Sequence, residues 1–296
     1  DPGLRHPRSG SPTPGTPGFR VSDTRDRVDW PGVRVRYYLR LLAVSARTSL
    51  VTAMQYRADF LVQGLMALVW TAIALVPLLV LYGQRTTVAG WGFGPALLVI
   101  GMFTIMRGVL EGAINPSLIA VVERIRSGSF DYTLLKPADA QFLVSTTRFE
   151  PWRAIDVLAG VGVLVWGFVE IGEAPGPLAI AGALVLVVGA IAVMYSLWIL
   201  IVAAAFWVVR LDNLTYLLGA VFDAARWPVQ VFRGAWRVIF TVVIPLALMT
   251  TYPAMALRGV LSTATIAACV GGAALFFAVS RGVWTLALRG YTSASS

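Results

Sequence analysis

The chain has little of what histidine-dependent or metal-dependent catalysis requires. Its 296 residues include one cysteine, Cys269, and one histidine, His6. A disulfide within the chain needs two cysteines, and a structural zinc site needs several cysteine or histidine ligands, so the sequence excludes both. It also contains no GxxxxGKS or GxxxxGKT stretch, the loop with which many ATPases bind nucleotide phosphates. We therefore expect this chain to have no catalytic, metal or cofactor site of its own.

Charged residues are scarce as well. They make up 13% of the chain, against about 25% in soluble domains. Hydrophobic residues make up 57% and the mean hydropathy is +0.75, so we predict an integral membrane protein. The net charge of +9 comes almost wholly from arginines that flank apolar runs, which is typical of cytoplasmic loops. No basic groove motif accompanies them, so we expect no nucleic-acid partner.

Six apolar runs can supply the roughly 20 helical residues that cross a bilayer. They are residues 59–82, 95–122, 155–171, 178–209, 238–252 with an extension back to about 229, and 262–286. Arginine and lysine gather before the first run and after the second, fourth and sixth, whereas the other turns are poor in both. Positive residues favour the cytoplasm. We predict an all-α, six-span plasma-membrane protein with both termini cytoplasmic.

The residues before the first span divide into two parts. Residues 1–29 are rich in proline, glycine and serine, and we predict a disordered cytoplasmic tail. Residues 30–57 have an apolar face and an arginine face, which favours a helix lying in the headgroup layer; packing on other protein is the alternative. Residues 58–296 form the six-span domain, and its first cytoplasmic loop covers residues 123–154.

Two charges stand inside the second span. Arg107 and Glu111 are four residues apart, on one helical face, beside Gly108 and Gly112. Charge at membrane depth marks either a functional polar path or a buried structural ion pair, and both interpretations stay open. The GxxxG spacing of the glycines permits close helix approach.

Two prolines bracket the end of the fifth span. Pro245 and Pro253 lie in IPLALMTTYPAMALRG. Proline interrupts the hydrogen bonds of a membrane helix, so we expect an outer helix break here. A simple helix end before a short turn is the alternative.

Three stretches resemble the permease subunits of type-2 ABC exporters, in particular the compact six-span group. They are YRADFLVQ at residues 56–63, IRSGSFDYTLLKP at 125–137 and WTLALRGYTSASS at 284–296. The second is similar to the family pattern I-x-x-G-x-F/L-D-x-x-L-x-x-P. The likeness covers about residues 36–296.

The resemblance implies a division of labour between subunits. Two permeases, identical or related, pair in the membrane, and each docks a soluble ABC ATPase that binds ATP and magnesium. Substrate crosses between the two copies, along faces of the second and fifth spans. The resemblance implies an ATPase-coupling loop made of Gly128, Phe130, Asp131, Leu134, Leu135, Lys136 and Pro137.

The coupling loop has its own physical signals. Gly128 permits a sharp turn, Pro137 stops a helix, and Asp139 is a candidate N-cap for a helix reaching Phe149. Its apolar side chains favour a docking surface; packing against the chain's own helix ends is the alternative. Replacing Phe130 and Leu135 by alanine is expected to uncouple the ATPase without loss of folding.

We therefore predict the permease subunit of an ATP-driven exporter. Its partners are the ATPase, a second permease copy and membrane lipid. Wide apolar faces suit a hydrophobic or amphipathic substrate, such as a drug-like metabolite or a lipid. The alternatives are an ion-coupled secondary carrier, which the scarcity of acids in the spans disfavours, and a membrane scaffold without transport.

Overall fold

The structure is a computed structural model that describes residues 31–207 and 212–291. The predicted tail of residues 1–29 and the last five residues of the C-terminal motif lie outside this description. The described ranges contain helices and turns, with one isolated β-bridge between Val88 and Trp91. The α-helices are α1 Pro31–Gln55, α2 Arg57–Gln84, α3 Phe93–Val109, α4 Asn115–Arg126, α5 Asp131–Leu134, α6 Ala140–Ser145, α7 Ala154–Ile171, α8 Pro177–Ala204, α9 Asp212–Asp223, α10 Ala235–Val238, α11 Tyr252–Leu257 and α12 Thr263–Arg289.

Five helical stretches are long and apolar enough to cross a membrane, which confirms an all-α membrane protein. They are Arg57–Gln84, Phe93–Arg126, Pro151–Ile171, Pro177–Ala204 and Thr263–Arg289. A bent pair, Ala235–Val242 with Ala247–Leu257, makes a sixth span if the two halves count as one. The predicted runs agree with these helices within a few residues. The N-terminal helix is present as α1, and its place in the headgroup layer stays a prediction.

The packing divides the chain within α1, after Leu41. The second unit, Leu42–Ser296, contains every span. Its most buried span is the second, Phe93–Arg126. This span consists of α3, a π-helical turn at Leu110–Ile114, and α4.

Helices α3 and α7 approach so closely that glycine is required along their contact. The facing positions are Gly94 with Gly167, Gly101 with Gly160, and Gly108 with Arg153. A Cβ atom added to Gly160 would lie 2.8 Å from the carbonyl oxygen of Gly101, closer than packed atoms allow. The glycines repeat every seven residues on both helices and run in opposite directions, so α3 and α7 form an antiparallel pair.

Helices α8 and α12 form a second pair, which is parallel. Gly182 faces Ile266, and one heptad further along Gly189 faces Ala273. Helix α11 and the π-helical turn before it, Ala247–Thr251, contact both α8 and α3. The second half of the bent pair therefore joins the two helix pairs in one core.

The fifth span is bent near one of its two prolines. The two halves of the bent pair meet at 64°, and Pro245 lies in the short break between them. Pro253, in contrast, stands in the first turn of α11, where the helical path continues through it. Pro253 has no N–H to donate to the turn before it, and that turn, Ala247–Thr251, is π-helical. The span therefore bends near Pro245 and continues through Pro253, and the outer helix break assigned to the two prolines together stays a prediction.

We predict that adding one methyl group at the α3–α7 contact destabilises the protein. Gly160→Ala should lower the free energy of unfolding by about 1–3 kcal/mol, because its Cβ would meet backbone atoms of α3. Gly162→Ala is the matched control, since a Cβ there meets nothing within 4 Å. It should raise stability by about 0.5–1 kcal/mol. Thermal unfolding in one detergent measures both, and midpoints that shift equally would contradict the packing.

Candidate functional site

The predicted coupling loop begins with a turn that needs glycine. Helix α4 ends at Arg126, and Gly128 has a φ of 70°, in the left-handed region that side chains disfavour. The turn lets the backbone N–H of Phe130 donate to the carbonyl oxygen of Arg124 at 3.1 Å. The chain thereby reverses at the end of the second span.

Phe130 points into the protein. Its side chain is fully buried and meets three aromatic rings edge-on: Phe206 and Tyr291, both at 5.6 Å between ring centroids, and Trp284 at 6.4 Å. The alternative of packing against the chain's own helix ends therefore holds for Phe130. Alanine at this position would empty a packed aromatic cluster, so we expect it to lower stability; whether the protein still folds with both Phe130 and Leu135 replaced stays a prediction.

The residues that follow Phe130 point outward. The side chains of Tyr132, Leu134 and Leu135 are 73%, 42% and 81% exposed, and Lys136 and Pro137 are exposed beside them. The first two stand on the single turn of α5. We call Tyr132, Leu134 and Leu135 the loop patch: a small apolar surface next to the chain's only lysine.

Asp131 lies at the inner edge of this turn. It is half-buried and faces the phenol of Tyr291, just beyond the last span. Burial and the neighbouring Asp131 carboxylate together raise the pKa of Tyr291. This contact places the start of α5 against the end of α12.

Asp139 fixes the second half of the loop. It is the N-cap of α6, because its carboxylate accepts a hydrogen bond from the backbone N–H of Phe142 at 3.0 Å. The same carboxylate accepts hydrogen bonds from both terminal nitrogens of Arg281 on α12. Burial alone would raise the pKa of Asp139, but the hydrogen bonds and charge of Arg281 outweigh it, so the pKa lies below its ordinary value. The predicted cap is present, although α6 ends at Ser145 and does not reach Phe149.

A chain of polar groups extends from Arg281 to the fourth span. Arg281 also donates to the side-chain oxygen of Gln141 at 2.6 Å, and the Gln141 amide donates to the Tyr195 hydroxyl at 2.9 Å. Ser145 completes it, 2.7 Å from the same hydroxyl. We call Asp139, Gln141, Ser145, Tyr195 and Arg281 the loop clamp. Sequence reasoning missed Arg281 and Tyr195, since it used Arg281 only as a sign of membrane orientation.

The loop returns to the bundle through backbone hydrogen bonds. The buried hydroxyl of Ser117 donates to the carbonyl oxygen of Arg148 at 2.7 Å and accepts from its N–H at 3.0 Å. The N–H of Phe149 donates to the hydroxyl of Ser49 at 3.0 Å. Residues 148 and 149 are thereby held on α4 and on the last part of α1.

Arg107 and Glu111 do not form the ion pair that was one interpretation of their spacing. Among the described residues, no carboxylate lies within ion-pair distance of Arg107. Glu111 stands on the π-helical turn and accepts from the side-chain amide of Asn115 at 3.4 Å, while Asn115 accepts from Trp198 at 2.8 Å. The π turn rotates Glu111 away from the position four residues on that an α-helix would give it. Arg107 instead lines a small cavity with Arg153 and Asp156.

The π turn also receives the returning loop. The backbone N–H of Glu150 donates to the carbonyl oxygen of Gly112 at 2.8 Å. Burial raises the pKa of the Glu150 carboxyl, and the charge of Glu111 adds to this, although Arg148 and Arg153 act against it. Glu111 therefore lies on the loop-facing side of the span.

The family of the chain follows from comparison with known protein families. Residues 68–295 match the model of the family described as ABC-2 family transporter protein, about three quarters of the chain. The chain belongs to this family. No curated protein and no solved structure matches it. The resemblance to type-2 ABC permeases is thus confirmed, and ABC-2 permeases generally partner with an ATPase subunit.

We predict that a buried and an exposed side chain in the predicted coupling loop of this ABC-2 protein respond differently to replacement by alanine. Phe130→Ala should lower the free energy of unfolding by about 3–5 kcal/mol, because it leaves a cavity among aromatic rings. Leu135→Ala, at an exposed position of the same loop, should change it by less than about 0.5 kcal/mol. Thermal unfolding in detergent measures both. An unfolding midpoint of Phe130→Ala equal to that of the wild type would contradict the burial of this ring.

The loop clamp gives a second prediction. Asp139→Asn keeps an N-cap but loses the charge, so it should cost about 1 kcal/mol of stability. Asp139→Ala loses both and should cost about 2 kcal/mol. Because folding lowers the pKa of Asp139, the stability advantage of the wild type over Asp139→Asn should be present at neutral pH and be lost as pH falls through that lowered pKa. Unfolding midpoints measured from pH 7 downward test this, and identical midpoints for both variants at pH 7 would exclude a cap.

Proposed function

We propose that this chain is the transmembrane permease of an ATP-driven exporter, moving a hydrophobic or amphipathic substrate outward. A separate soluble ATPase docks on the loop patch and supplies the energy from ATP and magnesium. A second copy, identical or related, completes the pathway. In this proposal the protein lies in the plasma membrane and both termini are cytoplasmic, on the side of the coupling loop.

The observation that carries the proposal is the contrast between the two faces of the coupling loop. Phe130 is fully buried, whereas Leu135, five residues later, is 81% exposed. Exposed apolar side chains on a rigidly held turn are suited to a partner's pocket, because little conformational freedom is lost on binding. Membership of the family supports an ATPase as this partner, since ABC-2 permeases generally partner with an ATPase subunit.

The contacts of the loop supply a route for mechanical coupling. A force on α5 acts on the aromatic cluster of Phe130, at the ends of α8 and α12. A force on α6 acts through the loop clamp on Tyr195 and Arg281, in the same two helices. A force on the end of the loop, at Arg148, acts through its hydrogen bond to Ser117 on α4. Movement of the ATPase would thus reach three spans at once.

A cavity at the opposite end of the bundle supports a path for substrate. Its volume is about 510 Å³, and it lies between the turn after α7 and the turn before α12. Apolar residues dominate its wall, with one acid, Glu173, and one base, Arg258. A largely apolar cavity with a few polar groups is typical of small-molecule sites.

We predict that a charge in the loop patch separates the permease from its ATPase. Leu135→Asp should weaken binding of the P-loop ATPase by at least about tenfold, because burying a carboxylate in an apolar pocket is unfavourable. The measurement is the amount of ATPase that purifies with the chain from its native membrane. Val260→Asp is the matched control for ATPase recovery alone: Val260 is also an exposed apolar residue, 54% exposed, at the other end of the bundle, where it lines the cavity described above.

The outcome distinguishes the proposal from its alternatives. Equal recovery of the ATPase with both variants would overturn docking at the loop patch. If no ATPase co-purifies with the chain, and the chain transports substrate into proteoliposomes under an ion gradient alone, it is a secondary carrier. If an ATPase co-purifies but the complex transports no substrate when ATP is added, the chain is a scaffold.

A further inference from the structure

A second cavity lies within the membrane region, on the loop side of the bundle. It is bounded by α2, α3 and the start of the third span, opens to the outside along α2, and has a volume of about 140 Å³. A buried water needs roughly 10–15 Å³ of such space, so there is room for a polar group of several atoms. Arg153 and Asp156 belong to the first turns of Pro151–Ile171, which places the cavity near one leaflet's headgroups.

The charges around this cavity do not balance. It is lined by two arginines, Arg107 and Arg153, and by one carboxylate, Asp156. Asp156 is buried and paired with Arg153 at 3.2 Å. The Nε atom of Arg153 is buried and has no hydrogen-bond partner among the described residues. Since Arg107 has no carboxylate partner there either, the lining of the cavity carries a net positive charge and unused donors, although Glu150, outside the lining, also acts on Arg153.

The remaining wall is apolar and faces outward. Helix α2 contributes Met66 and Trp70, whose side chains are 44% and 58% exposed, and the exposed side chain of Gln63 lies at the rim. Helix α2 is mostly unburied within this chain. An apolar body can therefore lie along α2 while its head group enters the cavity.

We infer that this cavity binds the anionic head group of an amphiphile, with Arg107 receiving the charge. The head group is a phosphate or carboxylate, the acceptors that guanidinium groups bind best. An anionic phospholipid of the adjacent leaflet fits both the charge and the apolar wall. Because the inference concerns binding alone, it does not depend on transport or on the ATPase.

The test compares lipids that differ only in head-group charge. The chain, purified in neutral detergent, is titrated with phosphatidylglycerol or phosphatidylcholine of identical acyl chains, and native mass spectrometry counts the lipids retained. We expect one phosphatidylglycerol to bind more tightly than the rest. Arg107→Gln should weaken that binding by at least about tenfold, while Arg107→Lys should keep most of it. Arg57→Gln is the matched control, an exposed arginine at the loop-side end of α2.

Two further arms keep the test decisive. Should Arg107→Gln fail to fold, Ala74→Leu narrows the cavity without changing its charge and should also weaken phosphatidylglycerol binding. Titration with inorganic phosphate separates a lipid from a free anion. Equal phosphatidylglycerol affinity in wild type and Arg107→Gln would overturn the inference, as would displacement of the lipid by inorganic phosphate at matched concentration.

Discussion

The close contact between α3 and α7 is the constraint on which the other features depend. It requires a glycine at each heptad, and the register of the glycines determines which residue lies opposite Gly108. That residue is Arg153, whose carbonyl oxygen would lie 3.1 Å from a Cβ at Gly108. The same register brings Asp156 beside the span that contains Arg107 and lets the N–H of Glu150 reach Gly112. The position of the charged cavity and the return of the loop are thus consequences of one helix contact.

The predicted coupling loop is held by two different kinds of interaction. Its first half depends on apolar packing of Phe130, which is insensitive to salt and pH. Its second half depends on the charge-assisted hydrogen bonds between Asp139 and Arg281, with Gln141 and Tyr195 behind them. Between Phe130 and Asp139, α5 makes a single turn. Because these two flanking residues are held in place, they determine which side chains of the turn are buried, and the loop patch is left exposed.

Patterns of local origin could be predicted from the sequence. Apolar length indicates the spans, glycine the turn at residue 128, and an aspartate before a helix the cap at residue 139. Interactions between distant residues could not. The direction of Phe130 depends on rings that are more than 70 residues away, and the partner of Asp139 is 142 residues away. The spacing of Arg107 and Glu111 predicted a shared helical face, because it assumes a regular α-helix. The π turn at Leu110–Ile114 changes that spacing, and the sequence pattern gives no sign of it.

Arg107 is a charged residue inside a span that has no anionic partner among the described residues. An unpaired arginine inside a span is costly, and the one carboxylate in the cavity that Arg107 lines is already paired with Arg153. An anion bound there would act on Arg153 as well, since Arg153 lines the cavity and packs on Gly108 and Gly112. The loop returns through the neighbouring Glu150. Linkage is reciprocal: if loop movement alters the position of Arg153, it alters anion affinity, and a bound anion biases the loop by the same free energy.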